Sequence, residues 1–233
     1  MDQHIHEAAG EKNNLVVAWT LYLKMATLTM FGDYENASEV ATQLSLSDTS
    51  AFPPFVNAWR WLYEGIIALS LPRKRHGLLR SRFHVAKHKL KQLKSLTNHS
   101  SRNFISKVYF MEAEILAAQG QEYVAVSRYI VAASAAESSG YLGEEAMALE
   151  RSARLLYQLG NFDEAQKTLE KSRACFQSWG AQAKVDQLSS LPYWKIPTAL
   201  DGKDDGHCLE ALTRESTRPI TDEAKSTSSC DRA

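Results

Sequence analysis

Part of the sequence repeats itself at an interval of forty residues. When residues 109–141 are aligned with residues 149–181 so that Gly120 meets Gly160, the alignment needs no gap. An internal repeat constrains the architecture more than any local signal, because every copy must form the same unit. Small and apolar residues coincide at five further positions, which pair Ala113 with Ala153, Leu116 with Leu156, Ala125 with Ala165, Ser134 with Ala174, and Gly140 with Gly180.

Each copy has the pattern of an antiparallel helical hairpin. Apolar residues recur at a spacing of three or four, which is typical of amphipathic helices. The first helix ends at a glycine, which tolerates the left-handed backbone, and an Asp or Asn can then cap the second helix. Gly32, Asp33 and Ala37 repeat this signature near the start of the chain. The sequence therefore predicts at least three hairpins of one kind.

A less regular fourth hairpin is predicted between these copies. Its helices span residues 55–71 and 82–96, with a longer connection through residues 72–79, and Pro53 and Pro54 mark its start. A single hairpin cannot bury its apolar face, so such units stack into a solenoid whose concave side commonly binds partners. The expected fold is all-α, with tetratricopeptide-like hairpins stacked as a short right-handed solenoid. The unit is longer than the roughly thirty-four residues of the commonest repeat of that type.

The ends of the chain differ from the repeat. Residues 13–196 are the predicted repeat domain, residues 1–12 a flexible N-terminus, and residues 197–233 a polar tail with too few large apolar residues to fold. The first residues lack the basic and apolar regions of a secretion signal, and no long uninterrupted apolar run follows. The three cysteines, Cys175, Cys208 and Cys230, form no recognisable pairing pattern. We therefore expect a cytoplasmic protein without a transmembrane segment.

The segment from residue 72 to residue 94 is the most unusual in composition. It holds nine Lys or Arg and three His, and no Asp or Glu occurs between Glu64 and Glu112. An amphipathic helix with a solvated basic face is one interpretation, since Phe83, Ala86 and Leu90 share a face with Leu93. A docking surface for an acidic partner, nucleic acid or anionic lipid is the other, although aromatic residues are not interleaved as single-stranded nucleic acid would require. The candidate binding residues are Arg73, Lys74, Arg75, Arg80, Arg82, Lys87, Lys91 and Lys94.

Large aromatic residues cluster at two places in the predicted helices. Trp59, Trp61 and Tyr63 are close together, and Trp179 precedes a glycine near the end of the last copy. Most such residues are core. Trp61 and Trp179 are also candidate anchors for a partner, because tryptophan is favoured at binding hot spots.

The sequence shows no pattern that predicts catalysis. Phosphate-binding loops, dinucleotide-binding turns, nucleophile elbows and kinase catalytic loops are all absent from the 233 residues. The paired carboxylates Glu144–Glu145 and Asp163–Glu164 come at predicted helix starts, where the helix dipole favours negative charge. His4 with His6, and His207 with Cys208, supply two ligands each at most, too few for a tetrahedral site. We expect no catalytic residue, no cofactor and no metal.

Four segments together resemble a known helical region. They are FGDYENA (residues 31–37), WLYEGIIAL (61–69), SSGYLGEEAMALERSARLLYQLG (138–160) and CFQSWGAQAKVDQL (175–188). The likeness, over about residues 18–192, is to the tetratricopeptide-like array that follows the predicted ATPase module in large signalling proteins. These include hybrid sensor histidine kinases with an N-terminal kinase-like domain and a GAF sensor. The resemblance implies a relay or partner-docking segment in phospho-signalling, and it carries over no catalytic residue.

Three functional hypotheses follow from these observations. The first is a non-enzymatic scaffold that binds a segment of a protein partner, or a neighbouring domain of a signalling protein, in its concave groove. The second is a fragment of an ATP-binding multidomain sensor histidine kinase that is inactive alone, since the kinase-like, ATPase and GAF portions are not in this sequence. The third is a basic-helix binder of nucleic acid or an anionic surface, with nucleic acid the less favoured ligand.

Overall fold

The computed structural model describes residues 14–71 and 78–190, with side chains from residue 81 onward in the second range. These residues lie in the unit Met1–Gly202, and a second unit, Lys203–Ala233, falls outside the described residues together with the predicted tails. The described ranges form α-helices and no strands. The helices are α1 (Asn14–Phe31), α2 (Tyr34–Ser45), α3 (Pro54–Ser70), α4 (Leu78–Thr97), α5 (Ser101–Ala118), α6 (Glu122–Ser139), α7 (Leu142–Gln158), α8 (Phe162–Trp179) and α9 (Gln182–Ser190).

The predicted hairpins are confirmed by the glycines between their helices. Gly32, Gly120 and Gly160 each follow the first helix of a pair and have φ angles of 83°, 78° and 81°. This left-handed region favours glycine because it has no Cβ. Four hairpins result, α1–α2, α3–α4, α5–α6 and α7–α8, and α9 follows the last of them. The chain is therefore an all-α helical-repeat solenoid, as the forty-residue interval predicts.

Completely buried alanines recur at matching positions of the hairpins. Ala37, Ala125 and Ala165 begin the second helices and are completely buried. On the first helices, Ala113 and Ala153, which align with each other, are also fully buried. A larger side chain there would push the helix axes apart, because interiors are close-packed. The forty-residue interval thus recurs at fully buried positions of the core.

The irregular second hairpin has the predicted helices with different boundaries. Helix α3 begins at Pro54, where a proline in the first turn leaves no hydrogen bond unmade. Helix α4 begins at Leu78, four residues before the predicted start. Its predicted apolar face is confirmed: Ala86 and Leu93 are fully buried, and two further residues, Phe83 and Leu90, pack against the core.

The first helices of the hairpins form a continuous inner layer. Helix α1 packs on α3, α3 on α5, and α5 touches α7, while each second helix packs mainly on its neighbours along the chain. Because the inner helices have neighbours on several sides, α5 and α7 bury charged residues as well as apolar ones. The outer helices α6 and α8 bury a single stripe each.

The solenoid curls until its last helices meet the turn of the first hairpin. Lys184 of α9 donates a hydrogen bond to the carbonyl oxygen of Met30 at 2.6 Å. Gln187 donates to the carbonyl of Phe31 at 3.2 Å. Arg151 of α7 donates to the hydroxyl of Tyr34 at 2.7 Å. These contacts join residues more than a hundred positions apart, so they close the concave side at this end.

One described helix, α1, is long and apolar enough to cross a membrane by length and composition alone. Core helices of soluble proteins pass the same test, and α1 contributes Ala18, Leu21 and Met25 to the core. The described residues therefore contain no firm transmembrane segment.

Candidate functional site

A buried ion pair lies on the inner face between α5 and α7. The Lys107 ammonium contacts the Glu144 carboxylate, which also accepts a hydrogen bond from the Ser106 hydroxyl. The Lys107 nitrogen lies 4.9 Å from the ring centroid of Trp59 and 5.1 Å from that of Tyr141. Cations are attracted to aromatic faces, so both rings add to the attraction supplied by Glu144. The arrangement holds a charge in place, and it presents no free nucleophile.

The pKa values around this pair follow from burial. Burial lowers the pKa of Lys107, and the Glu144 carboxylate opposes that shift. Burial also raises the pKa of Tyr63 well above its ordinary value, with further contributions from Tyr22 and Glu144. Because Lys107 is 3% exposed, its charge depends on Glu144 and not on water.

A second charged cluster, which we call the inner charge cluster, consists of Glu114, Glu150, Arg151, Arg154 and Lys184. Lys184 donates to the Glu150 carboxylate at 3.0 Å, and Arg154 reaches the same oxygen at 3.4 Å. The Arg151 guanidinium lies 3.4 Å from a carboxylate oxygen of Glu114. Burial disfavours the charge of Arg151, but Glu114 and its other neighbours outweigh burial and raise the pKa of the guanidinium. The cluster links α5, α7 and α9 across the inner face.

A small cavity lies beside the inner charge cluster. Its volume is about 10 Å³, close to the space that one water molecule needs. The interior at this point is thus filled by the chain's own side chains, and an extended peptide has no room there. The lining residues are Thr29, Met30, Gly32, Tyr34, Met147, Glu150, Arg151 and Arg154.

Some of the basic side chains of α4 are paired with other residues of the fold. Arg82 donates to the carbonyl of Leu71 at 2.5 Å, Lys89 pairs with Glu64, and Lys94 lies 2.8 Å from Glu112. The exposed cations Lys87 and Lys91 make no ion pair with the described residues. The exposed imidazoles of His84 and His88 lie on the same helix. Of the other candidates, Arg73, Lys74 and Arg75 lie outside the described residues, as does the side chain of Arg80.

The two candidate tryptophan anchors lie on different helices. Trp61 of α3 is half-buried against the core, and its buried indole N–H has no hydrogen-bond partner among the described residues. Trp179 ends α8 and is 49% exposed. Its ring covers Gly143, where a Cβ would come within 3.0 Å of the ring. Trp59 and Tyr63 stack on each other inside the inner layer. Trp61 lies on α3, which packs against the basic helix α4, whereas Trp179 lies at the end of α8.

Helix α6 exposes an apolar stripe on its outer side, which sequence reasoning missed. Tyr123 is 69% exposed and Val124 53%, and one or two turns later Ile130 and Val131 are each 43% exposed. The matching helix α8 carries charged, exposed residues at the four positions that lie forty residues further on: Asp163, Glu164, Glu170 and Lys171. The α6 stripe, defined as Tyr123, Val124, Ile130 and Val131, is therefore a local departure from the repeat.

The buried charges were also missed, although there is a signal for them when the forty-residue interval is extended by two or three residues beyond the ends of the alignment. Lys107 aligns with Met147, and both are buried. Glu144 aligns with Lys184 in the same way. A charged residue aligned with a core position indicates a buried charge that needs a partner. Glu144 does lie in the first turn of α7, as predicted, but its partner is Lys107.

The described residues contain no group of three or more His, Cys, Asp or Glu side chains placed to hold a metal ion. His4, His6, His207 and Cys208 lie outside the described ranges. Comparisons with protein-family models, with curated proteins and with solved structures found no significant match.

Proposed function

We propose that this chain is a non-enzymatic protein-interaction module of the cytoplasm that docks a partner helix on the α6 stripe. The observation that carries the proposal is the contrast between α6 and α8. Both helices keep the same buried alanine, Ala125 or Ala165, but only α6 presents four large apolar side chains to solvent. Exposed apolar patches on soluble domains are typical of interaction sites.

The chemistry of the stripe favours an apolar helix face as its occupant. Between residues 123 and 134, the six outward positions on this side of α6 are the α6 stripe with Ser127 and Ser134, and none of them carries a charge. The exposed Glu137 follows one turn later on the same side. A charged segment would lose hydration there without gaining an opposite charge, whereas an apolar face gains from burial. The two serines are small, so a partner helix can approach closely between the larger residues.

In a module of this kind the concave groove is the expected binding surface. In this chain a partner segment could enter the groove only after a conformational change. The contacts of Lys184 and Gln187 with the first hairpin close it at one end, and the inner charge cluster fills the adjacent interior. The α6 stripe is accessible without any opening. For this reason we assign partner docking to the outer face of α6.

The biological setting is proposed from the sequence resemblance alone. We place the module in a signalling system with an ATPase or sensor kinase, either as a separate scaffold or as part of a larger chain. In that setting the partner helix belongs to a signalling protein or to a neighbouring domain.

The test transfers the outer residues of α8 onto α6. The variant carries Tyr123→Asp, Val124→Glu, Ile130→Glu and Val131→Lys, all at exposed positions, so its free energy of unfolding should change little. A partner is captured from the source lysate with the unaltered chain, identified, purified and titrated calorimetrically against both proteins. We expect the four-residue variant to weaken binding at least tenfold.

Phe162→Glu is the matched control, because Phe162 is an exposed apolar residue of α8 where α6 has Glu122. It should leave the affinity unchanged. Equal affinity of the four-residue variant and the unaltered chain would refute the proposal. Self-association of the unaltered chain in sedimentation, abolished in the four-residue variant, would also refute it by showing that the occupant is a second copy.

A second candidate function rests on the exposed part of α4. Lys87 and Lys91 make this face cationic, and clustered positive charge attracts anionic surfaces. Binding to vesicles of anionic lipid, or to duplex nucleic acid, is measured at rising salt concentrations. Retention at low salt that is lost in Lys87→Gln/Lys91→Gln supports this candidate, and no retention at low salt refutes it.

A further inference from the structure

The cavity beside the inner charge cluster has features of an anion site. Arg154 is 4% exposed, and its Nε and one terminal nitrogen are buried without a hydrogen-bond partner among residues 14–71 and 81–190. Its other terminal nitrogen reaches Glu150 only at 3.4 Å. A guanidinium cannot release its proton, so burial leaves the N–H groups of these two nitrogens without an acceptor among the described residues, and Glu150 is a distant partner for the charge.

The charge balance of the surrounding side chains points the same way. Arg151, Arg154 and Lys184 face two carboxylates, those of Glu114 and Glu150. Burial lowers the pKa of Lys184, and the Glu150 carboxylate opposes that shift. The Lys184 ammonium also donates to the Met30 carbonyl and to the amide oxygen of Gln187. The buried cluster therefore holds one cation more than it holds anions, and a buried unpaired charge is costly.

Tyr34 supplies a further donor to the same cavity. Its hydroxyl oxygen accepts the hydrogen bond from Arg151, which leaves the hydroxyl proton available to an acceptor. Glu150 also lines the cavity, but the oxygen nearest to Arg154 is already bound by Lys184. A water molecule could accept these hydrogen bonds but would not neutralise the excess charge.

We propose that this cavity binds a single monatomic anion, of the size of chloride, between Arg154 and Tyr34. The cavity volume of about 10 Å³ corresponds to about one water-sized site, which favours a single small ion over phosphate, sulfate and carboxylate ligands. The anion would tie the first hairpin to α7, because Tyr34 follows α1 and Arg154 lies on α7. This role goes beyond partner docking on α6 and does not depend on it.

The test measures thermal unfolding of the full chain at constant ionic strength while chloride replaces methanesulfonate, which is too large for the cavity. We expect the melting temperature to rise by about 3–5 °C for each tenfold increase in chloride above half-saturation. Bromide should act like chloride. Arg154→Met should abolish the dependence, and Arg102→Met, which alters an exposed arginine of α5, should retain it.

Two further measurements cover the case in which Arg154→Met does not fold. Tyr34→Phe removes only the hydroxyl and should weaken the chloride dependence. Crystals of the unaltered chain soaked in bromide should show an anomalous peak in the cavity beside Arg154. Equal melting temperatures of the unaltered chain in the two salts, an undiminished dependence in Arg154→Met, or a cavity that contains only water would overturn the proposal.

Discussion

Lysine side chains occupy two opposite environments in this chain. On the inner helix α5, Lys107 is 3% exposed and is held by Glu144 and two aromatic rings. On the basic helix α4, Lys87 and Lys91 extend into solvent without an ion pair to the described residues. The sequence makes α4 conspicuous because its charges are closely spaced and all of one sign. The inner charges are scattered along the sequence, yet they are the buried ones.

The difference teaches how to interpret charge in a helical repeat. An exposed charge keeps its hydration, so its removal changes stability little. A buried charge has exchanged hydration for one specific partner, so removing the partner leaves the full cost of burial. The inner charges should therefore dominate stability, and the α4 charges should affect only encounters with other molecules.

Removal of Glu144 should have the largest effect and tests whether the buried charges dominate stability. Glu144→Ala leaves Lys107 buried without its carboxylate partner, so we expect the free energy of unfolding to fall by about 3–5 kcal/mol. Urea denaturation followed by circular dichroism measures the change. Glu164→Ala is the control, because Glu164 is exposed in the first turn of α8. A loss below about 1 kcal/mol for Glu144→Ala would show that this buried pair is not required.

The contact between α9 and the first hairpin should come next in size. Lys184→Met removes three hydrogen bonds, including the one to the Met30 carbonyl, while Glu150 keeps Arg154 as a partner. We expect a loss of about 2–3 kcal/mol in urea denaturation. Lys171→Met, at an exposed position of α8, should change the value by less than about 0.5 kcal/mol. Equal effects of the two substitutions would contradict the closed solenoid.

The pH dependence of stability tests burial of the inner layer without removing a charge. Burial raises the pKa of Tyr22 to about 12 from an ordinary value near 10. The unfolded chain therefore releases this proton at lower pH than the folded chain, so the stabilisation is complete below about pH 10 and is lost as the pH rises toward 12. Between pH 9 and pH 11 the native chain should lose about 1 kcal/mol more than Tyr22→Phe, after allowance for partial solvent screening. If the free energy of unfolding fell equally with pH in the native chain and in Tyr22→Phe, Tyr22 would be exposed to solvent and not buried.

The smallest effect is expected on α4. Lys87→Gln and Lys91→Gln should each change the free energy of unfolding by less than about 0.5 kcal/mol. The same denaturation assay, run beside Lys89→Gln, sharpens the comparison within one helix, because Lys89 pairs with Glu64 and is half-buried. A larger loss for Lys87→Gln than for Lys89→Gln would reverse the assignment of exposed and paired lysines.

Sequence periodicity was sufficient to predict the hairpins because it reports on local geometry. Gly120 and Gly160 recur where the backbone must turn left-handed, and Ala125 recurs as Ala165 at a fully buried position. The curvature of the solenoid cannot be predicted in this way, because it accumulates from small rotations between hairpins and no single residue determines it. The contact of Lys184 with Met30 was therefore not predictable, and neither was the closed interior that follows from it.

The features of the candidate sites also fall into two groups, those that the sequence predicts and those that it does not. The apolar face of α4 was predicted because Ala86 and Leu93 follow the helical period. The pairing of Lys94 with Glu112 was not, because it depends on how α4 packs against α5. The exposure of Ile130 and Val131 could not be predicted from their hydrophobicity, which by itself indicates burial.

The distance between the first hairpin and the last helix tests the closed solenoid most directly. Spin labels are placed at two exposed positions, Glu35 of α2 and Asp186 of α9, after Cys175, Cys208 and Cys230 are replaced by serine. We predict a single narrow distribution of label-to-label distances at short distance. The reason is that Gln187, beside the label at position 186, donates a hydrogen bond to the carbonyl of Phe31, four residues before the label at position 35. In an open row of four hairpins, with helices packed roughly 8–10 Å apart, the labels would lie several tens of Å from each other. A long or broad distribution would contradict the closed inner face.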